Sequence, residues 1–269
     1  SFSLPLIGGV VRMNRGPILA SNFTRMPDDK ILHKVISALL EEFKKRRWWA
    51  VQIAPELNDS KFTDDFLKNI GFKKLAATPY ASGLLNLQAS EEELLMRLKK
   101  KWRYSLKKSQ STGLIIDIVE KNSVDYEILL KRYTKFKIEK DFSGISDSLI
   151  SSLARQKASG WKFNIIIAVN KRPYNLENCY GMVISIHHGD VSTYLVGETN
   201  NEGRDLQVNY LLLWEAIIHA KSNGYDWFDV GGLGENTPKG VAFFKKGLKS
   251  EPYSLVGEWR GLILPWKKY

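Results

Sequence analysis

Residues 180–197 read YGMVISIHHGDVSTYLVG, and residues 206–230 read LQVNYLLLWEAIIHAKSNGYDWFDV. In the first stretch two apolar runs, Tyr180 to His187 and Val191 to Gly197, flank His187-His188-Gly189-Asp190, which reads as a hairpin turn between two strands. The second is a long apolar helix, about Leu206 to Ser222, stopped by Asn223-Gly224 and followed by a short strand, Trp227 to Val230. An antiparallel pair that continues through a helical crossover into another strand belongs to an α/β chain with a mixed sheet.

Outward from this segment the pattern stays regular. Upstream lie a strand at Leu114 to Val119, helices near Val124 to Phe136 and Asp147 to Lys157, and a strand at Phe163 to Val169; downstream come a short helical piece before Gly247 and a last strand around Ser254 to Ile263. Ser90-Glu91-Glu92-Glu93 matches a capping box and opens a helix that runs through Leu94, Leu95, Leu98, Trp102 and Leu106 to near Gly113. Before it, Phe2 to Arg12 and Gly16 to Ala20 read as strand and turn, Asp28 to Arg47 as an amphipathic helix, Trp48 to Ile53 as a strand and Phe62 to Ile70 as a helix, with Phe72 to Thr78 and Gly83 to Leu87 as paired strands. The later order is that of a complete acetyltransferase-like (GNAT) fold, and the earlier one matches its latter half. The expected architecture is therefore two tandem GNAT-like acyltransferase lobes, residues 1–88, incomplete at the N-terminus, and residues 89–269.

A chain of 269 residues with 43% hydrophobic content can bury two modest cores. Its one cysteine, Cys179, expected in a loop, cannot close an internal disulfide, and no Cys/His cluster has metal-ligand spacing, so no metal or other cofactor is expected. No apolar run reaches the roughly 20 residues that span a bilayer and no charged-then-apolar segment opens the chain, which reads as cytoplasmic. It begins at Ser1 in strand-like sequence, as though a segment preceded it. Forty Lys and Arg against 29 Asp and Glu leave a formal charge of +11, which suits nucleic acid, anionic lipid at the inner membrane surface, or a phosphorylated ligand. The cations cluster at Lys99 to Lys108 and at Lys239 to Lys249, and aromatics interrupt each run.

Several short pieces carry a family likeness. They are Asn14-Arg15-Gly16-Pro17-Ile18, Val51-Gln52-Ile53-Ala54-Pro55, the basic Trp102 to Ser109 followed by Gly113-Leu114, Tyr194-Leu195-Val196-Gly197, Leu211 to Ile217, Gly224-Tyr225 with Phe228-Asp229-Val230-Gly231-Gly232, and Phe244-Lys245. In order and approximate spacing, over nearly the whole chain, they resemble the Fem-type peptidyltransferases (FemA, FemB, FemX), which build the interpeptide bridges of bacterial peptidoglycan. The resemblance implies an amino acid taken from aminoacyl-tRNA and an acceptor amine on a UDP-linked or lipid-linked muropeptide precursor. No heptad-rich helical pair interrupts residues 114–197, so the chain is similar to the compact members that lack a helical-hairpin insertion. It departs from the family pattern where the upstream segment that helps hold the sugar nucleotide is absent and where Lys140 to Ser148 lacks the arginine expected on the diphosphate.

Aminoacyl transfer needs an amine to attack an ester, a stabilised tetrahedral oxyanion, and departure of the ribose oxygen. Positioning alone supplies about 7–11 kcal/mol of such a barrier, so no protein nucleophile is required, and no Gly-x-Ser-x-Gly elbow is present. The family's Phe-Lys pair falls on Phe244 and Lys245. Lys245 then stabilises the oxyanion or holds a phosphate of the tRNA end, or it is one lysine of a surface run. Phe244 stacks on a terminal base or packs in the core. Asp229 orients the amine or accepts its proton, or simply caps the amides of the glycine turn. Arg103, Lys107 and Lys108, expected to project toward the cleft, complete the expected substrate-binding set with Tyr194, Arg204 and Lys246.

Two other functions fit the same fold. A CoA-dependent N-acyltransferase would bind pyrophosphate on a loop of the form Arg/Gln-x-x-Gly-x-Gly/Ala at a helix N-terminus. Here that loop reads Glu198-Thr199-Asn200-Asn201-Glu202-Gly203-Arg204-Asp205, with three acids and one glycine, a poor cradle. A catalytically inert basic scaffold for RNA or membrane is the other, and the intact Phe244-Lys245 pair speaks against it.

Overall fold

Runs such as Ile165 to Val169 and Met182 to Ile186, apolar at almost every position, bury their side chains only in strands covered on both faces. The computed structural model of the protein, which describes residues 2–4, 8–16, 29–119, 124–140, 144–172 and 178–264, places them so. In chain order the first elements are β1 (Phe2–Leu4), β2 (Gly8–Asn14), α1 (Asp29–Lys45), β3 (Trp48–Ala54), α2 (Lys61–Asn69), β4 (Lys73–Lys74), β5 (Ala81–Asn86), α3 (Glu91–Arg97) and α4 (Lys100–Gln110). Then follow β6 (Ile115–Val119), α5 (Val124–Lys140), α6 (Asp147–Arg155), β7 (Lys162–Val169), β8 (Cys179–His188), β9 (Val191–Thr199), α7 (Asn201–Asp205), α8 (Val208–Ser222), β10 (Trp227–Asp229), α9 (Lys239–Lys246), β11 (Glu251–Ser254) and β12 (Trp259–Leu262). Among the described residues the strands make a five-stranded sheet, β1-β2-β3-β12-β4, and a seven-stranded sheet, β11-β5-β10-β9-β8-β7-β6. No helix among the described residues is long and apolar enough to cross a membrane.

The chain divides into two compact units. The first comprises Ser1–Ser82, Gly232–Thr237 and Pro252–Tyr269. There α1 turns Ile36, Leu40 and Phe43 onto Val11, Val51, Ile53 and Trp259 of the five-stranded sheet, and α2 adds Phe66 and Leu67. Ser60 starts α2 by accepting the Thr63 amide proton, which satisfies one otherwise unpaired helix-end donor.

The second unit comprises Gly83–Gly231 and Pro238–Glu251. Strands β6 to β9 form an antiparallel meander, β10 joins β9 in parallel, and β5 runs antiparallel to β10. One face of the meander packs on Leu129, Tyr133 and Ile150 of α5 and α6. Helix α8 packs against β8 and α4 and buries Val208, Leu211, Leu212, Leu213, Trp214, Ala216, Ile217 and Ala220, a helix apolar nearly all round because it is covered nearly all round.

Several expectations needed correction. The stretches Phe72 to Thr78 and Gly83 to Leu87 do not pair with each other: β4 pairs with β12 and β5 with β10. The linker between them carries Pro79, which has no N–H, and its polar groups go elsewhere, Leu75 N to Glu258 O and Leu255 N to Tyr80 O. The single helix expected from Ser90 breaks at Leu98 and Lys99, whose backbones are extended. Leu94, Leu98, Trp102 and Leu106 recur every four residues, so a continuous helix would rotate each by about 40° from the last; with the break, all four are buried. The last strand is likewise two, β11 and β12, in different sheets, with Gly257 at φ +85° between them. Cys179 opens β8 and is buried instead of lying in a loop. The strand-and-turn reading at Gly16 to Ala20 falls, beyond Gly16, outside the described residues.

Candidate functional site

The parallel register of β10 with β9 covers only Val191, Ser192 and Thr193, while β9 continues to Thr199. Within β9, Tyr194 faces Ser185 and Val196 faces Ile184, which leaves Leu195 as an extra residue that bulges the strand. A cavity of about 580 Å³ opens beside this bulge, inside the second unit. Its base is made by Met182, Val183, Tyr194, Gly197 and Glu198, and its rim by Arg204, Gln207, Asn209 and Tyr210. Gly240, Val241 and Phe244 of α9, with Phe136 of α5, close it.

The rim is set by a local choice of backbone. Asn200 accepts the Gly203 amide proton at 2.7 Å and starts α7, so the expected loop is one helical turn. Gly203 is required there, because a Cβ would collide with the Tyr180 carbonyl oxygen. Gln207 then takes a left-handed conformation, φ +61°, and redirects the chain into α8.

Lys245 is the only buried residue of α9, at 5% exposure. It holds the inward position between Ala242 and Leu248, and its Nζ lies 4.8 Å from the centroid of the Tyr194 ring, a cation–π contact. Burial lowers its ammonium pKa to about 8, while the nearby Asp229 carboxylate pulls the other way. Asp229, also buried, accepts the Gly231 amide proton at 2.8 Å. Gly231 has φ +69°, and a Cβ on it would stand 2.5 Å from the Tyr194 carbonyl oxygen, so only glycine brings this turn so close to Tyr194 and Lys245. Burial raises the Tyr194 phenol far above its usual range, so it stays protonated.

The structure thus brings Lys245, Asp229 and Tyr194 together, with Tyr194 on the cavity. Phe244 lines the cavity wall but is held by its neighbours: it stacks on Trp102 with centroids 6.0 Å apart and meets Tyr210 edge-on at 5.0 Å, and its carbonyl accepts from Trp102 Nε1 at 3.1 Å. Arg204 stands exposed on the rim. Arg103, Lys107, Lys108 and Lys246 do not line the cavity; Arg103 donates to the Met96 carbonyl, Lys108 Nζ donates to Asp205 O at 3.3 Å, and Lys107 and Lys246 are exposed.

Sequence reasoning missed a buried ion pair under the cavity. Arg132 of α5 donates through Nε to Glu198 Oε1 and through Nη2 to Oε2 at 3.4 Å, and its Nη1 donates to Cys179 O at 2.9 Å. Burial raises the Glu198 pKa against the opposing pull of Arg132. Glu198 follows Val196 in the inward period of β9, which was a usable signal; Arg132, 66 residues away, gave none. Burial also raises the Cys179 thiol, which is inert as a nucleophile.

Residues 179–268 match the FemAB family. The crystal structure of FemX superposes with a TM-score of 0.72 at 14% identity, covering 97% of this chain and 82% of that one. The chain carries a Fem-type, tandem GNAT-like fold. The same fold recurs in the C-terminal domain of a putative lysylphosphatidylglycerol synthetase from Agrobacterium fabrum, with TM-score 0.56, 12% identity and coverage of 88% of this chain and 75% of that one. L-PGS from Bacillus licheniformis gives 0.54 at 9% identity over 88% and 74% of the two chains. No curated protein matches the chain. The matched segment contains Tyr194, Glu198, Asp229 and Lys245, and every residue that lines the cavity except Phe136.

Proposed function

We propose that the chain is an acyltransferase that moves an amino acid from aminoacyl-tRNA to an amine of a peptidoglycan precursor, in the cytoplasm and in peripheral contact with the inner membrane surface. The first lobe holds the acceptor and the second the donor. The observation that carries this reading is Lys245, a cation in a desolvated place beside Tyr194 and the glycine turn. The acceptor amine attacks the ester carbonyl and a C–N bond forms. The carbonyl oxygen takes the negative charge, next to Lys245, where low local polarity strengthens the attraction. Collapse breaks the bond to the ribose oxygen, which leaves with the proton the amine gives up. A Lys245 pKa of about 8 keeps the group mostly charged at neutral pH yet close enough to it to pass a proton. Asp229 holds the turn and offsets part of the cost of burying the ammonium.

The CoA reading loses support from the rim. The Gly203 amide, which a pyrophosphate would need, is already bonded to Asn200, and the Arg204 amide is bonded to Asn200 O. Incubation of the protein with charged tRNA pools and a panel of precursor amines, and separately with acetyl-CoA, tests the reading. Amine-dependent deacylation of tRNA is expected; transfer from acetyl-CoA alone would replace it with the CoA reading.

A further inference from the structure

Phe243 and Phe244 are neighbours with opposite surroundings. Phe244 is locked between Trp102 and Tyr210, whereas Phe243 is 57% exposed on α9 and Tyr104 is 71% exposed on α4. Lys101, one turn before Tyr104, reaches across to Phe243, its Nζ 5.7 Å from the ring centroid, so the two rings belong to one surface. The helices are fastened beneath them by the Trp102–Phe244 stack and by Lys99 N donating to Gly247 O at 2.9 Å. Each ring is bracketed by cations one helical turn away in both directions: Lys100 and Lys107 around Tyr104, Lys239 and Lys246 around Phe243, all exposed. Neither helix contains an acid. The first turn of α9, through Gly240 and Val241, lines the cavity, so this surface adjoins its mouth.

We propose that Tyr104 and Phe243 are a stacking platform for single-stranded RNA, whose phosphates are taken by the flanking lysines as the strand approaches the cavity. An aromatic face between cations, repeated on two helices, mirrors the alternation of base and phosphate along a single strand, and base–aromatic stacking tolerates any sequence. A helix that lies on a bilayer separates a broad apolar face from its charged one, whereas here each ring shares its face with lysines. The inference rests on the reading that the donor is borne on RNA, and it names the residues that hold the strand.

The test compares binding of two RNA hairpins, one with a single-stranded overhang at its acceptor end and one blunt, by wild type and by Tyr104→Leu, Phe243→Leu and the double variant. Leucine keeps apolar area and removes the stacking face, and both positions are exposed, so unfolding midpoints are expected to stay put. Each variant is expected to weaken the overhang hairpin by roughly fivefold to a hundredfold, to leave the blunt hairpin unchanged, and to leave the salt slope unchanged because no charge is lost. Equal loss on both hairpins, or none, overturns the platform. So does unaltered RNA affinity together with loss of binding to phosphatidylglycerol-containing vesicles, which would assign the face to a membrane. Transfer assays on the same variants separate the two readings: unchanged transfer and unchanged donor KM in the double variant sink the platform alone, while RNA binding that behaves as expected without any transfer to an amine sinks the transfer reading alone.

Discussion

Lys245 carries its charge where little water reaches it, and Asp229 and the Tyr194 ring offset part of the loss. Such a placement fits the proposed chemistry, since the fold gains little from an ammonium it must desolvate. Lys245→Ala is expected to cost about a hundredfold to a thousandfold in kcat, the usual effect of losing one oxyanion donor, with its melting temperature nearly unchanged. Lys246→Ala removes the same charge one residue on, from an exposed position, and is expected to keep kcat while raising the donor KM; equal losses of kcat in the two would mean a bulk field rather than a placed group. On the proposed mechanism the ammonium is the active form, so the kcat profile should fall as pH rises through about 8, and Lys245→Arg should move that limb upward. His187 behaves in the opposite sense. It is fully buried, stacked on Tyr225 at 4.4 Å, and burial, with His219, Lys162 and His188 nearby, lowers its pKa from 6.5 to about 4. The unfolded chain therefore binds the proton first. Stability is complete above 6.5 and is lost as pH falls from there toward 4, by about 3 kcal/mol at most. Urea midpoints at neutral and mildly acid pH should show the drop, and His187→Phe should flatten it.

Between residue and unit, the elements show what the sequence made legible and what it did not. Periodicity located β7, β8 and β9 within a residue or two, and the capping box at Ser90 is present as read, with Glu93 reaching back to the Ser90 amide. These signals are local. The partners of β4 and β5 are not, because a two-residue strand such as Lys73-Lys74 has no face of its own and takes its place from β12 far along the chain. The break between α3 and α4 was invisible for a related reason: every residue near it favours helix, and the Lys99 amide leaves the helical pattern for an acceptor 148 residues away. At the candidate site, family likeness is what singles out Lys245, and its burial is also legible in its place between Ala242 and Leu248 on an amphipathic helix. The Arg132–Glu198 pair, which ties α5 to β9 under the cavity, needed three dimensions. Arg132→Met should leave the carboxylate buried alone and destabilise the protein by about 3–5 kcal/mol, while adding Glu198→Leu should restore much of that. A double-mutant cycle by chemical unfolding measures it; additive losses would show that the pair does not act as one.

At the scale of the whole molecule, a formal charge of +11 biases every encounter with a polyanion, and the exposed lysines of α4 and α9 concentrate that bias near the cavity. Each phosphate a lysine neutralises releases condensed counterions, so the logarithm of RNA affinity should fall linearly with the logarithm of salt, by about 0.9 per duplex contact and about 0.7 per single-stranded one. The size of the slope counts the phosphates the surface neutralises. Lys107→Glu with Lys108→Glu places the test where side chains are exposed and carry little structure beyond the bond from Lys108 Nζ to Asp205 O. The double reversal should weaken RNA binding at low salt and make the slope shallower by about one to two, with the unfolding midpoint unaltered. Since the variant changes net charge by four, a control with the same change made on α2 of the first unit, at the exposed Lys61 and Lys68, fixes the contribution of the long-range field alone. If the α2 control loses as much affinity and as much slope as the α4 variant, the basic run on α4 is only a solvated face; if the α4 variant alone loses both, the run contacts phosphate directly.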